Sequence, residues 1–185
     1  YATLNKQIGS SSSSGVSFVA SAGQGLSWFQ SEGYAKLLKE VEKAEGSLPV
    51  AVVFNLGVND MANASNYVSY MTNIASTLKS KNCKLFYMSV NPLNSTMITK
   101  AGKGSRTEAQ VREFNSKIRS GLSANYKYID TYSVLMKTGY GTNASYNGED
   151  SVSDDGLHYT TKTFKRIYYY CVIYLNTGSI DSFYY

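Results

Sequence analysis

The chain is poor in the residues that staple or interrupt a fold: two cysteines, two prolines, one histidine and one tryptophan among 185 residues. So little cysteine excludes a disulfide framework. Cys83 and Cys171 lack metal-ligand spacing and sit beside or inside apolar patterns, as small buried residues do. No run of 18 apolar residues occurs, so nothing reads as a membrane span, and no signal-peptide pattern is present. Charge is thin and mixed. Eighteen Lys+Arg against 13 Asp+Glu leave +5, scattered along the chain, and Lys100 to Arg106 reads as a solvated loop, which argues against a nucleic-acid partner. What is plentiful is apolar residues, at 43%, and tyrosine, at 17 positions. That content suits one sizeable core and a single domain over residues 1–185.

Apolar runs alternate with helical patterns from end to end, the signature of a parallel sheet with crossover helices. Val16 to Ala20 reads as a first strand, introduced by the low-complexity tract Ser10 to Ser14, which reads as a flexible connection, and ended by Gly23 and Gly25. Tyr34, Leu37, Leu38 and Val41 share a helical face. Val50 to Leu56 is β-branched and apolar on both faces, which predicts a strand in the middle of the sheet. Tyr67, Val68, Met71, Ile74, Ala75 and Leu78 repeat as an amphipathic helix. Leu85 to Val90 and Tyr128 to Asp130 read as further strands, with a helix through Val111, Phe114, Ile118 and Leu122 between them. Gly139 to Gly156 is polar and turn-rich, a long surface loop of the kind that often carries function. A last helix places Phe164, Ile167, Tyr168, Cys171 and Leu175 on one face.

Three short constellations carry possible chemistry. His158 stands in Asp155-Gly156-Leu157-His158, directly after the long loop and before the last helix. Alone, a single histidine is most simply a surface or packed residue. A general base, however, needs an imidazole oriented by a carboxylate, and Asp155 lies three residues away across a glycine turn. Gly57-Val58-Asn59-Asp60 ends the run Val50 to Leu56, and ligands of open α/β sheets bind beyond the carboxyl ends of strands. Asn59 there could donate to a developing oxyanion; the plainer reading is a turn that caps the next helix. Gly23-Gln24-Gly25, with Trp28 following, lets a backbone N–H approach a ligand, although turn formation accounts for such a pair as well.

A glycine turn, a G-x-N-D turn and a D-x-x-H loop, in this order and with this placement, resemble the SGNH (GDSL-type) hydrolase family, over almost the whole chain. The resemblance implies a three-layer α/β/α sandwich with a mainly parallel, flavodoxin-like sheet and a serine esterase working without metal or cofactor. It implies His158 as base, Asp155 as its partner, Asn59 as side-chain oxyanion donor, and Gly25, or else Gly23, as backbone donor. The expected substrate is a small acyl ester or an acylated carbohydrate, with Trp28 and the tyrosine-rich loop Tyr140 to Tyr146 as stacking surfaces. The family's Gly-Asp-Ser block is absent from the sequence. Tyr1 to Gly9 resembles the helix that follows that block, so the expectation is a domain lacking its N-terminal strand, with the nucleophilic serine encoded upstream of Tyr1. Ser21, Ser27 or Ser89 as substitutes, and a non-catalytic relative, are the other two explanations.

From another class comes a glycan-binding module on the same fold, and a flavodoxin-like nucleotide binder ranks below it, because Ser10 to Gly15 precedes a strand where a phosphate loop would follow one. Glu149, Asp150, Asp154 and Asp155 do not match a calcium loop and read as a solvated acidic stretch. Asn63-Ala64-Ser65, Asn94-Ser95-Thr96 and Asn143-Ala144-Ser145 match the glycosylation pattern and read as loop residues. The composition suits a secreted or cell-surface bacterial enzyme, and a cytoplasmic one as well. Oligomeric state is not legible.

Overall fold

The computed structural model of the protein describes residues 15–44, 46, 48–143 and 153–180. The helix expected over Tyr1 to Gly9, the tract Ser10 to Ser14, residues 144–146 of the tyrosine-rich loop, and Glu149 and Asp150 lie outside them. In chain order, a helical segment opens as an α turn (Leu26–Trp28), widens to a π turn (Phe29–Gly33) and continues as α1 (Tyr34–Lys43). Then come β1 (Val50–Phe54), a 3-10 turn (Met61–Asn63), α2 (Ala64–Ser80), β2 (Cys83–Met88), α3 (Ser95–Lys100) and α4 (Glu108–Gly121). β3 (Lys127–Ile129), α5 (Thr131–Thr138) and α6 (Thr161–Thr177) complete it. The residues fall into two compact units that alternate along the sequence. Among the described residues, a sheet unit draws on 21–90 and 111–129, and a helical unit on 15–20, 91–110, 130–143 and 153–180.

In the sheet unit the three strands are parallel in the order β1-β2-β3. Their register runs from Val50 opposite Cys83 to Phe54 opposite Tyr87, and from Phe86 opposite Lys127 to Met88 opposite Ile129. Parallel neighbours need crossovers, and α2 and α4 lie in those connections. This is the α/β class expected. α2 buries Ala64, Tyr67, Met71, Ile74, Ala75 and Leu78, a stripe at helical spacing that packs on β2. Aromatic rings fill the space around β1 and β2. Phe54 stacks on Tyr87 at 6.4 Å and meets Phe29 and Tyr126 edge-on at 5.6 and 5.8 Å. Each such ring contributes roughly 1.5–3 kcal/mol by leaving water. Their hydroxyls are satisfied within the unit: Tyr87 donates to the Leu56 carbonyl at 3.0 Å and Tyr126 to that of Met71 at 2.6 Å.

Two strand expectations need correction. β1 was expected in the middle of the sheet, but β2 holds that place and β1 borders one strand among the described residues. Its two-sided apolar character reflects Val52 and Phe54 buried on one face, whereas Ala51 on the other is exposed. Val16 to Ala20 forms no strand: among the described residues no ladder includes it, and Val16 is 38% exposed.

In the helical unit, α5 is capped by Asp130, whose carboxylate accepts from the Ser133 amide at 3.0 Å, and α6 by Thr160, with Gly178 closing its far end. The buried stripe of α6 is rotated from the one expected. Thr163, Ile167, Tyr170, Cys171 and Ile173 face inward, while Phe164, Tyr168 and Leu175 are half-buried. Tyr170 can turn inward because its hydroxyl accepts from the Arg166 guanidinium at 3.0 Å.

Candidate active site

The D-x-x-H loop belongs to the helical unit. Asp155 is buried and spends both oxygens on the same four-residue turn. One accepts from the Leu157 and His158 amides at 3.0 and 2.9 Å, and the other lies 2.6 Å from His158 Nδ1. Because a carboxylate oxygen only accepts, Nδ1 carries the hydrogen and donates. A histidine held in this way takes up protons at Nε2. Burial alone would raise the Asp155 carboxyl, but the hydrogen bonds from the His158 amide and ring and the Leu157 amide outweigh it, and its pKa lies below the ordinary carboxylate value. His158 keeps 28% of its side chain exposed against 2% for Asp155, so the acid is sealed in while the imidazole reaches the surface.

The turn depends on Gly156. Its φ of +71° disfavours any side chain, and a Cβ there would run into the Asn94 carbonyl oxygen and lie 2.7 Å from the Ile98 nitrogen. The Gly156 carbonyl in turn accepts from the Asn94 amide at 2.8 Å, which ties the loop to the start of α3. On the other flank the His158 carbonyl accepts from the Asn143 amide at 2.6 Å, and Thr142 pairs with Tyr159. Tyr140, offered above as a stacking surface, donates its hydroxyl to the Leu93 carbonyl at 3.0 Å and meets Tyr159 edge-on. It is part of the loop's packing.

The glycine turn and the G-x-N-D turn both belong to the sheet unit, and there they meet. Asn59 donates from Nδ2 to the Gln24 carbonyl at 2.9 Å, which fixes one amide N–H and with it the direction of the other. Gly25 precedes the first turn of the long helical segment, with φ −135°. Here the requirement is space: a Cβ on Gly25 would overlap the Asp60 carboxylate, whose Cγ lies 2.6 Å away. Gly23, by contrast, has φ +70° with open space around it, the profile of a turn former. Asp60 is the residue that the sequence reading undervalued. It caps no helix of its own; its carboxylate accepts from the Leu26 amide at 2.8 Å and from the Tyr67 hydroxyl at 2.6 Å. The signal was present, since Asp60 completes the G-x-N-D motif, but its partner is 34 residues away.

The structure thus joins His158 to Asp155 in one unit, and Asn59 to the Gly25 turn in the other. Of the substitute serines, Ser89 is fully buried at the end of β2, its carbonyl accepting from Asn55 at 2.7 Å, and it offers no exposed hydroxyl. Ser21 and Ser27 are exposed.

The model of the GDSL-like lipase/acylhydrolase family matches residues 1–170. No curated protein sequence matches the chain. Among solved structures, the lipase/acylhydrolase from Enterococcus faecalis aligns with a TM-score of 0.56 at 15% identity, covering 84% of this chain and 72% of that one. A candidate acylhydrolase from Bacteroides fragilis aligns with 0.57, also at 15% identity and over the same shares. At that identity the likeness concerns the α/β fold. The family match, spanning all three motifs in order, concerns the chain itself, which belongs to the GDSL-like lipase/acylhydrolase family of ester hydrolases.

Proposed function

We propose that the protein is a serine esterase of the SGNH type that removes small acyl groups, acetyl above all, from carbohydrates or short-chain esters. The observation that carries this reading is the 2.6 Å bond from His158 Nδ1 to a buried Asp155, the arrangement that makes an imidazole a competent base. A serine hydroxyl attacks the ester carbonyl and gives its proton to His158 Nε2. The oxyanion accepts N–H from Asn59 and Gly25. Collapse expels the alcohol, which takes the proton back, and water activated by the same imidazole releases the acid. Gly25 is the better backbone donor of the two glycines because it opens a helical segment, where amide N–H groups point outward and partial positive charge gathers.

No Gly-Asp-Ser occurs in the sequence and Ser89 is buried, which leaves the exposed Ser21 and Ser27, or a serine outside residues 1–185, as the attacking residue. The carbohydrate preference rests on Trp28, half-buried with Lys36 Nζ 5.7 Å from its ring centroid, beside the Gly25 turn.

A fluorophosphonate probe applied to the complete gene product tests the reaction class. Covalent labelling that His158→Ala abolishes is the expected result. A folded product that resists labelling would refute the esterase and leave the glycan-binding module. Comparing acetylated oligosaccharides with p-nitrophenyl acetate tests the substrate: Trp28→Ala should lower kcat/KM for the sugar ester alone.

A further inference from the structure

We propose that Asp60 is a positioning residue for catalysis, holding the Gly25 N–H and the Asn59 amide at a fixed separation; this rests on the oxyanion roles assigned above. Two hydrogen bonds link the two turns, and they fall on either side of Gly25. The Asn59 side chain grips the Gln24 carbonyl at 2.9 Å, and the Asp60 carboxylate grips the Leu26 amide at 2.8 Å. Adjacent residues on one turn therefore hold the two neighbours of the same glycine on the other. A single bond between the turns would leave them free to pivot, whereas two bonds flanking Gly25 set both spacing and tilt.

The clamp is anchored at its back. The second carboxylate oxygen of Asp60 accepts from Tyr67 at 2.6 Å, and Tyr67 is fully buried in α2 with its ring edge-on to Phe114 at 5.3 Å. Burial first, and then the bond to Asp60, push the Tyr67 hydroxyl far above its ordinary pKa, so it stays a donor at any pH the enzyme meets. The carboxylate also occupies the space that a Cβ on residue 25 would need. Glycine is thus required at the donor position by the residue that holds the donor in place. A donor of oxyanion type acts only at the right distance from charge that develops in the transition state, so displacing it lowers kcat and spares KM.

The test is steady-state kinetics on a short-chain ester with the complete gene product, paired with amide hydrogen exchange at Leu26. Asp60→Ala should lower kcat about 10- to 100-fold with KM within about twofold, and should speed exchange at Leu26. Asp60→Asn, which still presents an oxygen to Leu26, should recover most of the loss in both readouts. The combined Asn59→Ala and Asp60→Ala change should cost less than the product of the two single losses, since both act on one pair of donors. If Asp60→Ala does not fold, Tyr67→Phe decides: a partial fall in kcat supports the clamp and no fall overturns it. Unchanged kcat in Asp60→Ala beside a lowered kcat in Asn59→Ala overturns the clamp and leaves the hydrolase reading standing. Unchanged kcat in Asn59→Ala overturns both.

Discussion

Asp155 is a residue whose environment makes a pH prediction. Its folded pKa lies below its unfolded one, so the carboxylate stabilises the fold above the ordinary carboxylate range, and that contribution fades as the pH falls through the lowered folded value. Wild-type stability should therefore drop on acidification more steeply than that of Asp155→Asn, as chemical denaturation at a series of acid pH values would register. The same substitution should lower kcat by about 10²-fold or more, because an amide can present a donor to Nδ1 and favour the wrong tautomer. Equal acid limbs in the two proteins would remove the stabilising role. Gly156 gives a companion case. Gly156→Ala forces a side chain into φ +71° and against the Asn94 carbonyl, so it should cost about 1–3 kcal/mol and cripple turnover with it. A thermal melt and an activity assay check both halves. The pairing of Asp155 with His158 was legible from the sequence because it is local, the two residues being three apart. Asp60 was not, because its partner Leu26 is brought to it only by the fold.

At the scale of elements, helix periodicity was read well and strand pairing less so. α2 buries the stripe that its spacing announces, since an amphipathic helix writes its burial into its own sequence. A strand does not, because pairing needs a neighbour, and Val16 to Ala20 has apolar residues but no ladder among the described residues. The short helices α3 and α5 went unnoticed for a related reason: at six and eight residues they are too short for a period to declare itself, and side-chain caps from Asn94 and Asp130 define them. Asn115 shows how an element can be held by one side chain. From α4 it donates to the Val90 carbonyl and accepts from the Val90 amide, both at 2.8 Å, imitating a strand partner just past the end of β2. Asn115→Leu should destabilise the protein by about 1–3 kcal/mol, since both Val90 groups would be buried without partners. A urea titration showing less than about 0.5 kcal/mol would show that water replaces the bonds.

For the molecule as a whole, the order of the units along the chain matters more than their size. The sheet unit is drawn from 21–90 and 111–129, so no contiguous piece short of both contains it. A fragment ending at Val90 keeps β1, α2 and β2 but loses β3, together with Phe114 against Tyr67 and Tyr126 against Phe54. Such a fragment should remain unfolded, with flat near-ultraviolet circular dichroism and no cooperative melt; a cooperative transition would mean that the first half is self-sufficient. The surface ion pairs have little say in this. Glu32 with Lys36 and Glu113 with Lys117 are well exposed, so their contribution fades with salt. The two cysteines stand one in each unit, Cys83 opening β2 and Cys171 inside α6, both buried, with burial raising both thiols and carrying Cys171 to about 11. A maleimide should therefore label both thiols slowly while the protein is native, and fast labelling in a thiol-consumption assay would contradict their burial. The rate at which each sulfur is consumed should then report how often its own surroundings open, with Cys83 reading the start of β2 and Cys171 the middle of α6.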